Sequence, residues 1–269
     1  MRSVGLITEY NPFHNGHLHH LQESLRVTGT DAVVAVMSGH FLQRGEAALL
    51  DKWQRAEMAL RAGANLVVEL PLPWACNSAP LFAEGAVQSL SQLGVDALCF
   101  GSEAGDIAPL QSCADLLDQH QDEIDKGTRN RLRQGENYPT ARAEVFADIC
   151  GDTNLSTLLA QPNNILGIEY LRALGSRSSN IVPHTIQRKG AGYHDLEAAG
   201  GIASATGIRR MLAKGESVGE FLPGPVLLLL EDALANGLTP DEEILFRLLV
   251  QALQRVDHLK TLYQYAESD

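Results

Sequence analysis

The feature that most constrains the fold is a stretch near the start of the chain, where an apolar run passes through a short loop into a helical pattern. Residues 4–7 form an apolar run typical of a buried strand, which breaks at Asn11-Pro12. Leu18, Leu21 and Leu25 then recur at the spacing of one helix face. The sequence therefore predicts a strand, a loop and a helix in direct succession.

The predicted loop ends in His14-Asn15-Gly16-His17. This spacing places two imidazoles beside the start of a helix, where unpaired N–H groups and the positive end of the helix dipole favour anions. Gly16 fits such a site because a Cβ there would stand between the backbone and the phosphate oxygens. The stretch thus predicts a phosphate site.

Two other interpretations of these histidines stay open. Histidines three residues apart on a helix can bind zinc, but a zinc site needs three or four ligands and no Cys-x-x-Cys or carboxylate partner lies nearby. Alternatively, both side chains are ordinary solvated surface histidines. Neither interpretation accounts for the preceding strand, so we expect no metal site made of protein ligands.

Composition limits the possible partners. The 269 residues are 45% hydrophobic, which is typical of a globular protein with a sizeable core. The net charge of −12 argues against a surface covered with basic patches, so any contact with RNA is expected to be local.

The cysteines and apolar segments indicate a cytoplasmic protein. Cys76, Cys99, Cys113 and Cys150 lie far apart without metal-ligand spacing, so reduced, buried thiols are expected. No signal peptide precedes the first strand, and the longest apolar run, residues 225–230, is too short to span a bilayer. We therefore expect no membrane association.

Strand and helix patterns alternate through the first hundred residues. Residues 32–37, 65–70 and 97–100 have strand patterns, and a helix is predicted at 51–62 with Trp53, Ala56 and Leu60 on one face. This alternation predicts an α/β fold with a Rossmann-like parallel sheet and right-handed crossovers.

The rest of the chain is predicted to be mostly helical. Charged helices are expected from residue 107 to 150, with a solvated acidic face, and a fifth, edge strand at 180–187, because Pro183 interrupts its hydrogen-bond ladder. Residues 227–230 and 244–253 are predicted to be buried helix faces. We accordingly predict a catalytic domain at 1–215, with a helical insertion at about 107–160, and a helical C-terminal segment at 216–269.

A strand order of 3-2-1-4-5 would reverse between strands one and four and place the His14/His17 loop opposite Gly101. Gly101, predicted to end strand four, would leave room for a nucleotide; an ordinary strand-ending turn is the alternative.

Two later loops supply further polar groups. Ser204 and Thr206 open a predicted helix with Arg209 one turn in, a pattern suited to a phosphate or to a simple helix cap with a surface arginine. Arg188 and Lys189 follow the fifth strand. Gln43-Arg44 is a candidate for RNA or substrate contact.

The pairing of H-x-G-H with S-x-T-x-I-R resembles the nucleotidylyltransferase superfamily. Four longer segments together are similar to the bacterial tRNA(Met) cytidine acetate ligase family: EYNPFHNGH (9–17), MSGHFLQRG (37–45), PNNILGIEY (162–170) and GYHD (192–195).

The resemblance implies an enzyme that uses ATP and Mg²⁺ to activate acetate as acetyl-adenylate and then acetylates N4 of the wobble cytidine of elongator tRNA(Met). It assigns His14 and His17 to the phosphates in the transition state, and Arg209 with Ser204 and Thr206 to the β and γ phosphates. The nucleotide contacts that it implies are Ile7, Thr8, Glu9, Tyr10, Asn11, Pro12, Phe13, His14, Asn15, Gly16, His17, Leu18, His19, His20, Gly101, Asn163 or Asn164, Arg188 and Lys189.

Two alternatives remain at this stage: transfer of AMP onto a phosphorylated metabolite, and ATP binding without catalysis. Members of the family continue beyond the point where this sequence stops, so we expect the helical region that helps to hold tRNA to be incomplete. Weak tRNA binding with a shallow salt dependence is expected, because few basic residues lie near the expected active face: Arg44, Lys52, Arg55, Arg188, Lys189 and Arg210.

Overall fold

A five-stranded parallel sheet forms the centre of the molecule. The computed structural model describes residues 1–177, 179–188 and 202–255. The strands are β1 Ser3–Thr8, β2 Ala32–Ser38, β3 Leu66–Leu70, β4 Ala97–Ser102 and β5 Val182–Gln187. Their order is β3-β2-β1-β4-β5 with all neighbours parallel, which confirms the predicted order and its reversal between β1 and β4.

Helices connect the strands and extend the chain beyond them. They are α1 Asn15–Thr28, α2 Lys52–Arg61, α3 Leu72–Ala75, α4 Ala79–Leu93, α5 Ile107–Gln119, α6 Gln121–Leu132, α7 Tyr138–Cys150, α8 Thr153–Leu158, α9 Pro162–Ser176, α10 Ala205–Ala213, α11 Gly224–Ala235 and α12 Glu242–Gln254, with a 3-10 turn at Gly219–Phe221.

The sheet is covered on both faces. The side chains of β2 are all buried and alternate between the two sides, with Val34 and Val36 facing one core and Val33 and Met37 the other. The first core is completed by α4, α5, α7 and α9, and the second by α1, α2, α10 and α11. This three-layer arrangement confirms the predicted α/β class and explains why β2 is apolar without alternation.

Two predicted apolar faces were wrong. In α2 the buried side chains are Arg55, Met58 and Ala59, whereas Trp53 and Leu60 are 72% and 45% exposed, because the opposite side of the helix faces the sheet. In α12 no residue is buried, and Ile244 is 55% exposed, because no other described element covers this helix. Residues 256–269 lie outside the described part of the chain, so the predicted segment 216–269 is described only to residue 255.

The strands that flank the reversal differ in detail from expectation. Gly101 does not end β4 but lies inside it, opposite Ile186, and the strand continues to Ser102 because β5 pairs with it to that point. Among the described strands β5 pairs with β4 alone, and it is the edge strand that Pro183 predicted.

The cysteines are free thiols in two environments. Cys99 and Cys113 are buried, as predicted, and burial raises their pKa to about 11 and about 12. Cys76 and Cys150 are only partly buried, contrary to expectation, because they lie at helix ends. Within the described ranges, the helices are too short or too polar to cross a membrane.

Candidate functional site

The first turn of α1 lies at the carboxyl edge of the sheet, directly after β1. His14 is the N-cap residue, and its Nδ1 accepts a hydrogen bond from the backbone N–H of Gly16 at 3.0 Å. His17 Nδ1 in turn accepts one from the backbone N–H of His14 at 3.3 Å. The two imidazoles thus complete a reciprocal capping box, which places both rings at the N-terminus of the helix.

This capping arrangement also assigns the proton on each ring. Because Nδ1 is an acceptor in both His14 and His17, a neutral ring carries its proton on Nε2. The ring centroids are only 3.8 Å apart. The pair therefore offers two Nε2–H donors for an anion, while its backbone hydrogen bonds hold the rings in place.

Burial keeps these histidines neutral. Desolvation is the main cause that lowers the pKa of His14 to about 3, and the charge of Arg188 lowers it further. The pKa of His17 is held well below its usual value by burial, then by His14 and Arg188. Tyr10 and Phe13 contribute to this burial, with ring centroids 5.0 and 5.6 Å from that of His17. At neutral pH the pair acts as hydrogen-bond donors without charge.

The depressed pKa of His14 predicts an acid-sensitive fold. Between the folded pKa of about 3 and the unfolded value of 6.5, the unfolded chain binds the proton more readily, so the free energy of unfolding falls as pH drops below 6.5. His14 alone should lower it by about 2 kcal/mol at pH 5 relative to pH 7.5. Denaturant unfolding across pH measures this loss. His14→Asn keeps an N-cap acceptor without titrating there, so an unchanged pH slope in that variant would contradict the prediction.

Arg188 and Asn163 contact each other near the end of β4. Arg188 donates from Nη1 to Asn163 Oδ1, and its aliphatic stem lies over Gly101, where an added Cβ would stand 2.9 Å from Arg188 Cγ. The absent side chain of Gly101 therefore makes room for Arg188 in this structure. The first turn of α9 is held by Glu103, whose carboxylate accepts from the side chain of Asn163 at 2.6 Å and from the backbone N–H of Asn164 at 2.8 Å.

The two adjacent asparagines differ in their surroundings. Asn164 is fully buried; its Oδ1 accepts from the backbone N–H of Ala104 at 3.1 Å, and its amide donates to Gln161. Asn163 instead joins Glu103 to Arg188. Of the two residues left open by the sequence, Asn163 is the less buried and the one in contact with Arg188.

Filling the space at Gly101 should weaken nucleotide binding. A leucine there would displace Arg188 from Asn163, while its ordinary strand conformation leaves the sheet intact. We expect Gly101→Leu to raise the Kd for ATP by about tenfold or more, measured by calorimetry. Leu98→Ile is the control within β4, since it changes a core side chain on the same strand. Unchanged ATP affinity in folded Gly101→Leu would show that no ligand group passes close to this position.

The residues at the start of α10 reach the same loop. Ser204 is the N-cap residue, and its Oγ accepts from the backbone N–H of Gly207 at 3.0 Å. Arg209 donates from Nη1 to the carbonyl of Asn11 at 2.8 Å, and its Nη2 lies 3.5 Å from Thr206 Oγ1. The S-x-T-x-I-R segment is thus joined by a direct hydrogen bond to the loop that precedes H-x-G-H, although the two are far apart in sequence.

The neighbours of Gly16 account for a glycine at this position, even without a ligand. A Cβ on Gly16 would stand 2.8 Å from His14 Cε1 and 3.4 Å from the side chain of Ile202. Glycine is therefore required for the His14 ring to lie across the helix start and for the segment before α10 to approach it.

Arg55 is a site residue that sequence reasoning placed incorrectly. Expected to lie on the active face, it is fully buried and donates to four backbone carbonyls, those of Glu9, Ser38, Gly39 and Leu50. These carbonyls belong to the loop after β1, to the end of β2 with the loop that follows it, and to the segment just before α2. Arg55 therefore holds these three segments together at the carboxyl edge of the sheet. A single arginine in an amphipathic helix carries no sequence signal for this role.

Other expected contacts are distributed unevenly. The core between the sheet and α1, α2, α10 and α11 includes the side chains of Tyr10 and Phe13, and Leu18 packs against it. Lys52 Nζ lies 2.5 Å from Glu69 Oε2. Lys189 and the GYHD segment at 192–195 lie outside the described residues. Arg44 and Arg210 are exposed. In the described ranges, no group of three or more His, Cys, Asp or Glu residues is arranged to hold a metal ion.

Comparison with known proteins shows similarity over nearly the whole chain. The family model described as HIGH Nucleotidyl Transferase matches residues 1–268. The tRNA(Met) cytidine acetate ligase of Syntrophotalea carbinolica is 58% identical, over 98% of this chain and 64% of its own length. The one from Caldanaerobacter subterraneus subsp. tengcongensis is 45% identical, over 99% of this chain and 68% of its own length.

Two solved structures have the same fold. Thermotoga maritima TmcAL bound with alpha-thio ATP is 38% identical with a TM-score of 0.79, covering 89% of this chain and 57% of that chain. The apo form of the same protein gives a TM-score of 0.81 at 39% identity, covering 90% of this chain and 59% of that one. The chain thus spans less than two thirds of these structures and of the Syntrophotalea relative.

Proposed function

Because the chain belongs to the HIGH Nucleotidyl Transferase family, among the tRNA(Met) cytidine acetate ligases, we propose that it activates acetate with ATP and acetylates N4 of the wobble cytidine of elongator tRNA(Met). The observation that carries the proposal is the neutral His14/His17 pair at a helix N-terminus, with ring centroids 3.8 Å apart and with Arg188 and Arg209 nearby. A relative with the same fold is bound with alpha-thio ATP, which supports ATP as the nucleotide.

In the first step acetate attacks the α-phosphorus and pyrophosphate leaves. A carboxylate is already nucleophilic at neutral pH, so the site needs little acid–base chemistry and acts by positioning and charge stabilisation. The Nε2–H groups of His14 and His17 donate to phosphate oxygens, and their tautomer is fixed in advance by the backbone. Positive charge comes from Arg188 and Arg209, so the donors and the charges reside in different residues.

The remaining predicted contacts follow from this arrangement. Thr206, Arg209 and the backbone at the start of α10 are expected to contact the β and γ phosphates. The hydroxyl of Ser204 already caps the helix by accepting from the backbone N–H of Gly207. Mg²⁺ is expected with ATP, and because the described residues contain no acidic cluster, its ligands would be phosphate oxygens and water.

Among the described cations expected at the active face, Arg44 and Arg210 are exposed and available to tRNA, whereas Lys52 is paired, Arg55 is buried and Arg188 donates to Asn163. A local contact of this kind agrees with the net charge of −12. We propose that the protein acts in the cytoplasm, where free thiols stay reduced.

Acetate-dependent ATP–pyrophosphate exchange tests the first step directly. The purified chain is assayed with and without acetate, and then with tRNA(Met) while N4-acetylcytidine is measured. Exchange that requires acetate, followed by acetylated tRNA, is the expected result. Exchange that requires a phosphorylated metabolite instead would indicate AMP transfer to that acceptor, and tight ATP binding without exchange would indicate a noncatalytic protein.

A further inference from the structure

Glu103 lies in the turn directly after β4 and is not among the nucleotide contacts that the family resemblance implies. The backbone of this turn is held from two sides. The backbone N–H of Ala104 donates to Asn164 Oδ1 at 3.1 Å. Gly105 has a positive φ of 67°, and a Cβ there would stand 2.7 Å from Gln187 Cβ, so the turn packs on the end of β5. Glu103 is therefore fixed between the start of α9 and the end of β5.

The carboxylate of Glu103 is directed at the first turn of α9. Its Oε1 accepts from the side chain of Asn163 at 2.6 Å and from the backbone N–H of the same residue at 3.2 Å. Its Oε2 accepts from the backbone N–H of Asn164 at 2.8 Å. Both oxygens thus bind N–H groups at a helix N-terminus, where a negative charge is stabilised. Glu103 is held against α9 by these bonds and is not presented to an anionic ligand.

The two neighbours of Asn163 determine how its amide is oriented. A carboxylate only accepts hydrogen bonds, and a guanidinium only donates them. The Nδ2 group of Asn163 must therefore face Glu103 and its Oδ1 must face Arg188, as the structure has it. Without the carboxylate, the amide would be free to rotate and to present its NH₂ group to the guanidinium, where two donors oppose each other. The orientation that holds Arg188 thus depends on Glu103.

Arg188 connects this arrangement to the histidine pair. Its charge is one of the causes, after desolvation, that lower the pKa of His14 and of His17. The stem of Arg188 lies over Gly101. Desolvation lowers the pKa of Arg188 itself, and the negative charge of Glu103 acts against this shift. Glu103 therefore acts on the guanidinium by its charge as well as through the amide of Asn163.

We propose that Glu103 is a positioning residue of the nucleotide site: through the amide of Asn163 it holds the guanidinium of Arg188 in place to bind a phosphate group of ATP. This inference rests on the proposed function, since it takes Arg188 as a contact to ATP. Glu103 itself touches no ligand. Its loss weakens ATP binding because the guanidinium is no longer held in one position before ATP arrives.

A double-mutant cycle distinguishes this role from simple support of α9. The Kd for ATP is measured by calorimetry on the full chain for Glu103→Gln, for Arg188→Met and for the double variant. Glutamine keeps the length of the side chain and one acceptor oxygen, but it lacks the charge and the second acceptor. Glu103→Gln should raise the Kd by about tenfold on its own. In the Arg188→Met background it should raise the Kd by less than about twofold, because no guanidinium is left to hold.

Asp106→Asn is the matched control in the same connection between β4 and α5. Its carboxylate accepts from the backbone N–H of Ala108 at 3.0 Å, and asparagine keeps this helix cap, so ATP affinity should not change. An equal loss of affinity from Glu103→Gln with and without Arg188 would indicate support of α9 alone and overturn the proposal. Unchanged affinity in folded Glu103→Gln would also overturn it. If the unchanged chain bound no ATP, the proposed function would fail as well, so the two failures are distinguishable.

Discussion

Replacing His17 by alanine is expected to slow acetate-dependent ATP–pyrophosphate exchange by about two to three orders of magnitude, the scale for removing one preorganised donor. The imidazole is held by the backbone N–H of His14 and by ring contacts with Tyr10 and Phe13, so its Nε2–H is placed before any ligand arrives. The initial rate of exchange at saturating ATP and acetate measures the loss.

A second substitution separates catalysis from helix capping. Glutamine is a common acceptor at the third position of a helix, so His17→Gln should keep the hydrogen bond from His14 and the stability of α1, yet lose most of the exchange rate. His120→Ala, between α5 and α6, is the histidine control. If His17→Gln or folded His17→Ala retained full exchange, the imidazole would have no part in the reaction.

Arg55→Met is expected to lower the free energy of unfolding by about 3 kcal/mol or more and to reduce ATP binding with it. Methionine has a similar length, but it removes the guanidinium donor from four backbone carbonyls, three of them in buried hydrogen bonds, and a buried carbonyl left unpaired costs about 1–3 kcal/mol where no water can enter. Because these carbonyls lie on three separate segments, the loops after β1 and β2 should lose their relative position. Denaturant unfolding and calorimetry with ATP measure the two effects.

Arg61→Met provides the matched control on the same helix. Arg61 is half exposed and, within the described part of the chain, pairs with Glu57 alone, so its loss should cost less than about 1 kcal/mol. A loss of stability in Arg55→Met no larger than in Arg61→Met would mean that water or a shifted backbone replaces the buried guanidinium. If Arg55→Met retained full ATP affinity, the positions of these loops would have no effect on nucleotide binding.

Patterns among neighbouring residues in the sequence were sufficient to predict the sheet. Continuous apolar runs and intervening helical periods predicted the parallel strands, and the one edge strand followed from Pro183, which cannot donate to a ladder. The position of His14 and His17 at a helix start was also predictable, since capping depends on neighbouring residues. The site assignments themselves stay predictions until ligand binding is measured.

Contacts between distant segments could not be predicted in this way. Nothing near Arg55 in the sequence indicates that its guanidinium would bind carbonyls of Glu9 and Ser38, and nothing near Glu103 indicates that it would hold the start of α9. The apolar side chains of Trp53 and Ile244 gave the wrong buried faces, because burial depends on which elements pack against a helix.

The same distinction applies to the chemistry of the candidate site. The order of residues at the start of α1 dictates a helix N-terminus with two imidazoles, because hydrogen bonds within one turn need no distant partner. Whether those imidazoles are charged depends on the packing of Tyr10 and Phe13 and on Arg188 from beyond β5. Desolvation and Coulomb interactions depend on distance in space rather than along the chain, so the neutral state of the pair follows from the folded arrangement.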